Sequence, residues 1–454
     1  MEVLVAGGGN AGICAAIAAA EAGAHVLLLE SLGPEVRGGN SKYTRNVRTA
    51  SHAYPADEML ADLLKVTGDG INRDLARFTI EQSRDLPEWM ARHGVRWQAP
   101  LRGTLQLGRT NHFFLGGGKA LLNTYYRRAA ALGIRVEYDV RVTEIVMERE
   151  RLRGVWVDRR GTRSFVKTGA LVAASGGYES NREWLRREWG EAADQFVIRG
   201  TAANDGLLLS RLFDLGARRM GNPRGFHAIA VDARSPRYDG GIATRVDSVS
   251  LGIVVNAEGK RFYDEGEDIW PKRYATWGKL IAEQPGQIAF SIFDSQAYGK
   301  FVPACYPPHR SETIEGIARE LRLDHAVLRA TVDEYNQHVM PGTFDRTRLD
   351  ELATWGLTPP KSNWARPIDK PPYYAYAVRP GITFTFLGVG VDEGARVVDA
   401  NGSALPGIFA AGEIMAGNVL SNGYLAGFGM TIGTVFGRIA GEGAAHYARQ
   451  RSPD

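Results

Sequence analysis

Short apolar blocks that run straight into glycine recur at both ends of the chain, and the stretch between them has a different pattern. "EVLVAGGGNAGICAAIAAAEAGAHVLLLE" reads as strand, glycine turn, helix and strand. The helix is rich in alanine and meets a carboxy-terminal cap at Gly23. "HVLLLE" is apolar throughout, as befits a strand covered on both faces in a parallel sheet. "ALVAASGGYESN" and "GIFAAGEIMAGN" are further apolar strands, ending in Gly176-Gly177 and Gly412-Glu413. From Val231 to Pro371 the pattern changes. "GIVVNAEGKRFYDEGEDIW" predicts a hairpin turning at Glu258-Gly259, and "HAVLRATVDEYNQHV" predicts an amphipathic helix. The prolines of "TPPKSNWARPIDKPPYYAY" mark a return linker. The expected fold class is α/β: a first domain in two pieces, residues 1–230 and 372–454, interrupted by an α+β insert at 231–371.

Composition narrows the function classes. The 454 residues are more than one simple domain usually holds, and 44% hydrophobic with 23% charged content is ordinary for a globular protein. A net charge of +4, with arginines spread through segments such as "REWLRREW" and "DRRGTR", lacks the concentrated basic face of a nucleic-acid binder. Two distant cysteines, Cys14 and Cys305, offer no disulfide framework, zinc site or iron–sulfur ligand set, so no metal site is expected. No run of about 18 apolar residues predicts a membrane span. The chain opens on a strand without a signal-like segment, and a cytoplasmic location is expected.

Gly7, Gly9 and Gly12 form GxGxxG between the first strand and its helix. The first glycine allows the tight turn, the second lets a pyrophosphate approach the backbone, and the third lets helix and strand pack closely. Asn10 opens the helix, whose amino terminus offers N–H groups and partial positive charge to phosphate. Glu30 ends the second strand, where an acid hydrogen-bonds a ribose diol. Together these predict an adenine dinucleotide site. The motif alone does not choose between FAD and NAD.

Three later segments do. "RGGNSKYTRN", "LGRTNHFFLGGGKAL" and "GEIMAGNVLSNGYLAGFGMTIGTVFGRIAG" resemble the flavoprotein family of fumarate reductase, succinate dehydrogenase, L-aspartate oxidase and ketosteroid dehydrogenases. Within it they are most similar to FAD-dependent tricarballylate dehydrogenases, and a cobalamin-pathway flavoprotein shares them. The resemblance implies a Rossmann-like FAD-binding domain of the glutathione-reductase type, interrupted by a cap. It places Gly7, Gly9, Gly12 and Glu30 at the adenosine and pyrophosphate, and Gly38, Gly39, Asn40 and Ser41 along the pyrophosphate and ribityl chain. Val142, Ser175, Gly176 and Asp205 complete the nucleotide side, with Glu413 at the ribityl group and Gly429, Met430 and Thr431 against the isoalloxazine. Respiratory members carry a histidine after the small hydroxyl for covalent attachment. Here that position is Lys42, which implies non-covalent FAD.

The implied reaction is hydride transfer between a substrate carbon and flavin N5, coupled to proton transfer at the adjacent carbon. The family's clamp histidine falls on Phe384 in "TFTFLG", beside Thr385, and its late arginine falls on Tyr424. The proton-carrying arginine falls on Tyr298 in "IFDSQAYGKF". His227 matches a substrate histidine and Glu265 a proton-relay acid, while Arg273, Arg109 and His112 are candidate carboxylate partners. The expected activity is dehydrogenation of a C–C bond next to a carboxylate or carbonyl, of the tricarballylate-to-cis-aconitate type. Alternatives are a dehydrogenase of cyclic ketones or ketosteroids, a cobalamin-pathway flavoprotein acting with oxygen, and a non-catalytic flavin electron carrier. Electrons would pass to a separate iron–sulfur protein, a quinone or oxygen.

Overall fold

The computed structural model describes residues 1–99, 107–240, 243–268 and 270–450. Its organising element is a six-stranded sheet in the order Arg396–Val398, Ala404–Ala410, Ala170–Ala173, Val3–Ala6, Val26–Leu29 and Arg135–Glu137. All neighbours run parallel except the first pair. The central strands are buried along their whole length, which is why their sequences are apolar without alternation. A three-stranded antiparallel sheet, Arg141–Glu148, Arg151–Arg159 and Thr162–Lys167, leads into Ala170–Ala173.

The two ends of the chain meet over this sheet. The helix Asn10–Glu21 packs along the terminal helix Phe428–Arg449. Gly433, Gly437 and Gly441, one turn apart, face it. A Cβ on Gly437 would lie 2.5 Å from the Ala11 carbonyl oxygen, and one on Gly441 2.2 Å from that of Ala15. The helices therefore touch backbone to backbone, and several of the late glycines serve packing.

A second sheet is built on one strand, Tyr373–Thr385, which is 13 residues long. It pairs with Ala289–Asp294, Phe226–Asp232, Val197–Ile198 and His309–Ser311, and Ala289–Asp294 pairs in turn with Ile253–Asn256. The strand Phe226–Asp232 runs through the expected boundary at residue 230. Separate apolar clusters underlie this sheet. One is formed with the helices Ile314–Leu321 and His325–His338, the latter at the amphipathic segment. The other includes Trp277 and Ile281 of the helix Trp270–Ala282.

The expected turn at Glu258-Gly259 forms after the strand Ile253–Asn256, but the returning strand of the hairpin does not. The Asn256 side chain caps a turn by accepting from the backbone N–H groups of Glu258 and Lys260. Only one bridge, Val255 to Arg261, follows it. Arg261 is then drawn into a buried ion pair with Glu265, whose carboxylate takes the Val254 N–H that a second strand would have bonded, while Ala289–Asp294 pairs along the opposite edge.

Replacing Gly441 with valine should force the terminal helix off its neighbour. Overpacking of this kind costs about 1–3 kcal/mol, measurable as a lowered denaturation midpoint. An unchanged midpoint would show that the helix contact yields freely.

Candidate active site

A long cleft runs over the carboxyl ends of the parallel strands, where open α/β sheets bind ligands. Its floor at one end is Gly7, Gly8, Gly9 and Asn10. Gly7 takes a φ of +113°, and a Cβ there would strike the Ala174 carbonyl oxygen at 2.3 Å. A Cβ on Gly12 would strike the Gly7 carbonyl oxygen, so this glycine lies behind the cleft and keeps turn and helix in contact. Glu30 is buried at the strand end, accepting from the N–H groups of Leu32 and Gly38 at 3.1 and 3.0 Å. Gly38, with φ +96°, thus holds the acid from outside the cleft.

The opposite wall is the short helical turn Gly39–Tyr43. Ser41 accepts from the Asn10 backbone N–H at 3.0 Å, tying this turn to the helix start. Asn40 bridges to the Glu179 side chain and the Thr383 carbonyl at 2.6 and 2.7 Å. Val142, Ser175, Gly176 and Asp205 also line the cleft, Asp205 paired with Arg141. At its far end stand Glu413, Gly429 and Met430.

The backbone leaves room for an extended dinucleotide. A Cβ on Gly39 would meet no protein atom within 4 Å, and on Gly9 none nearer than 3.5 Å. Glycine turns at both ends, the carboxylate of Glu30 and the helix start at Asn10 fit the adenosine, pyrophosphate and ring of FAD. Lys42, next to Ser41, donates instead to the Val36 carbonyl at 2.8 Å.

Beyond Gly429 the cleft becomes cationic and aromatic. His227 is 5% exposed, and its ring stacks on Tyr424 at 4.0 Å and 8°. Tyr424 accepts from the Gly429 N–H at 3.0 Å, so the tyrosine hydroxyl of the late glycine segment caps the terminal helix. Burial raises its phenol well above the usual tyrosine range. Burial, then the nearby Arg199, pulls His227 down to about 3, leaving a neutral imidazole whose Nδ1 has no partner among the described residues. Arg199 donates to Thr383 Oγ1 at 2.8 Å, and its Nε is unpartnered among the described residues. Desolvation, reinforced by Arg245 and Arg45, lowers Arg199 to about 10, so it remains cationic at neutral pH. Arg245 pairs with Asp247 at 2.5 Å and lies over the Tyr274 ring at 5.3 Å from its centroid. Tyr274 comes from the helix Trp270–Ala282, and Phe384 from the end of the long strand.

The structure thus brings His227 and Tyr424 together beside the cofactor contacts, and it sends the other proposed reactive residues elsewhere. Tyr298 is 53% exposed and stacks on Tyr374 at 4.5 Å, outside the cleft. Glu265 is consumed by Arg261 and the Val254 N–H. Arg273 pairs with Glu267, and Arg109 with Glu58. His112 packs against Trp97, and desolvation lowers it below the usual imidazole range. Thr385 and Thr431 are buried behind the wall: Thr385 donates to Glu413, Thr431 to the Arg48 carbonyl. The sequence reading missed Arg45, Arg199, Arg245 and Tyr274. Arg45 sits in the "RGGNSKYTRN" segment, where the glycines and Ser41 drew the attention; the other three sit in no glycine motif, and the pairing of Val197–Ile198 with Gly381–Ile382 brings Arg199 to the cleft.

Known proteins agree with this architecture. The family model described as FAD binding domain matches residues 2–430. The chain is 29% identical over 472 residues to "Probable fumarate reductase Ifc3" of Shewanella frigidimarina (strain NCIMB 400), across 98% of this chain and 75% of that protein. An open-conformation flavocytochrome c3 fumarate reductase superposes with a TM-score of 0.74 at 25% identity, over 98% of this chain and 78% of that one. For the fold alone, 3-ketosteroid-Δ4-(5α)-dehydrogenase of Rhodococcus jostii RHA1 gives a TM-score of 0.77 at 23% identity, over 98% and 96% of the two chains. With the dinucleotide cleft and the family match in agreement, the chain belongs to the FAD-binding-domain family and is an FAD-dependent oxidoreductase of the fumarate reductase and succinate dehydrogenase flavoprotein group.

Proposed function

We propose that this protein oxidises or reduces a C–C bond beside a carboxylate, on a polycarboxylate of the tricarballylate and cis-aconitate type. The observation that carries the reading is the group of guanidiniums at the reactive end of the cleft. Arg45, Arg199 and Arg245 line it, and among the described residues only Arg245 has a carboxylate partner. The desolvated Arg199, repelled by Arg245 and Arg45, leaves free energy for an anionic ligand to recover. The neutral His227, with an unpartnered Nδ1, supplies a further hydrogen bond.

FAD, when bound, supplies the two-electron exchange with the substrate carbon. Its attachment is non-covalent on this reading, since Lys42 follows Ser41. The protein then has to hold the carboxylates, move one proton and exclude water. Arg199 and Arg245 orient the carboxylates. The segment 231–371 acts as a cap, and its helix Trp270–Ala282 delivers Tyr274 over the site. No protein partner for the Tyr274 hydroxyl is present among the described residues, and the Arg245 guanidinium lies over its ring within the cleft. Tyr274 is therefore the group that moves the proton, while Tyr424, bonded to the Gly429 N–H, has a positioning role.

A second reading, a cyclic ketone substrate, is favoured by the aromatic wall of Tyr274, Phe384 and Tyr424. Anaerobic mixing separates the two. Tricarballylate should bleach the oxidised flavin band and cis-aconitate should restore it, with ring ketones inert. Bleaching by ring ketones alone would reverse the assignment.

Tyr274→Phe should retain FAD but lower kcat by ~100-fold or more, as loss of a general acid–base does, whereas Tyr298→Phe should stay near wild type. Equal rates for Tyr274→Phe and wild type would remove Tyr274 from the mechanism.

A further inference from the structure

Two glutamates enter the cleft wall from different elements. Glu179 follows the strand Ala170–Ala173, and Glu413 opens the turn Gly412–Asn418. They are 0% and 8% exposed. Glu179 Oε1 accepts from Asn40 Nδ2 at 2.6 Å and Asn204 Nδ2 at 2.7 Å. Glu413 Oε1 accepts from the Thr385 backbone N–H at 2.7 Å and its hydroxyl at 3.1 Å. The second oxygen of Glu179 is buried without an amide or hydroxyl donor among the described residues. Glu413 is its carboxyl neighbour across Thr385, whose hydroxyl donates to Glu413 and accepts from the Tyr178 N–H beside Glu179 at 3.3 Å. Two buried carboxylates side by side have no hydrogen to place between them. A hydrogen bond joins them only if one side chain is an acid.

We propose that Glu179 and Glu413 share a proton and that this carboxyl pair positions the cofactor wall, so that the protein grips FAD only while the proton is in place. The proposal rests on the FAD assignment. The pair joins five segments around the cleft: the turn Gly39–Tyr43, the loop at Asn204, the loop of Glu179, the end of the long strand at Thr385, and the turn of Glu413. Loss of the proton leaves two buried anions face to face. The wall must then open or admit water, beside a cofactor whose pyrophosphate is also negative.

Among the described residues no cation pairs with either carboxyl. The facing titratable groups are the phenols of Tyr178 and Tyr424, both kept protonated by burial. Arg199, which lines the same cleft, is engaged with Thr383. Asp205 is taken by Arg141, and Lys42 points to the Val36 carbonyl. Burial raises both glutamates above the ordinary carboxylate range, and the Glu179 charge raises Glu413 further. The folded pair therefore keeps protons that free glutamates would already have lost. Its contribution is complete in the ordinary carboxylate range and is lost as pH rises through neutrality and beyond.

Glu179→Gln tests this without changing shape. The amide still accepts from Asn40 and Asn204, and its NH₂ can donate to an ionised Glu413, so a second anion never forms. From about pH 6 to pH 10, FAD release from the wild-type holoenzyme should accelerate by ~10-fold or more, since one linked proton permits up to a decade per pH unit. Its thermal midpoint should fall in parallel, while Glu179→Gln should stay nearly flat. The wild type, with or without FAD, should also show a buried carboxylic-acid carbonyl band in its infrared spectrum at neutral pH, absent from the variant. Equal pH slopes in the two proteins, or the lack of that band, would overturn the shared proton. An intact band in a protein that binds no FAD at any pH would overturn the cofactor assignment instead.

Discussion

The close packing of the first helix on the last determines where everything else in this molecule lies. Contact through Ala11, Ala15, Gly437 and Gly441 leaves no space for side chains between the backbones. It brings together two glycine-rich stretches some four hundred residues apart in sequence. Asn10 fixes their register from inside, donating to the Met430 carbonyl and to Thr434 Oγ1 at 3.4 and 2.9 Å. The same asparagine lies at the helix start that faces the cleft, so one side chain links the nucleotide end of the site to the wall at Met430. A dispersed site of this kind needs close tolerances, which backbone contact provides and flexible side chains do not.

The second sheet reaches the cleft through a single long strand. Tyr373–Thr385 begins among the strands of the inserted segment and ends beside Glu413, carrying Thr383, Phe384 and Thr385 into the wall. Its neighbours bring His227 and Arg199. The electrostatics at this junction divide in two. At Glu179 and Glu413, two buried acids are accommodated by the proposed shared proton. Beyond Gly429, the desolvated Arg199 faces the like charges of Arg245 and Arg45. Both are costly arrangements in a stable fold, and both fit the proposed meeting of a charged cofactor and a charged substrate.

Much of the nucleotide half was legible in the sequence because its physics is local. A tight turn needs Gly7, close approach needs Gly9, helix packing needs Gly12, and the acid at Glu30 follows at a fixed strand length. The late segment was legible for the same reason, although some of its glycines face the first helix and Tyr424 caps the terminal one. The reactive half was not. Arg199, Arg245 and Tyr274 come from separate elements whose meeting depends on strand register and on where a helix of the insert docks, and neither leaves a short motif. Tyr298 looked suitable by position along its strand, but the turn after Ala289–Asp294 sends it outward to stack on Tyr374. Glu179 gave no sign in sequence, because its interest lies wholly in a neighbour more than two hundred residues away.

The central claim is that the paired glycine stretches enclose a removable flavin dinucleotide. The most direct measurement is the cofactor content of the purified protein before and after acid precipitation. The account predicts a yellow protein with one FAD per chain, all of it in the supernatant after acid treatment. Colourless protein that takes up no FAD on reconstitution would contradict it.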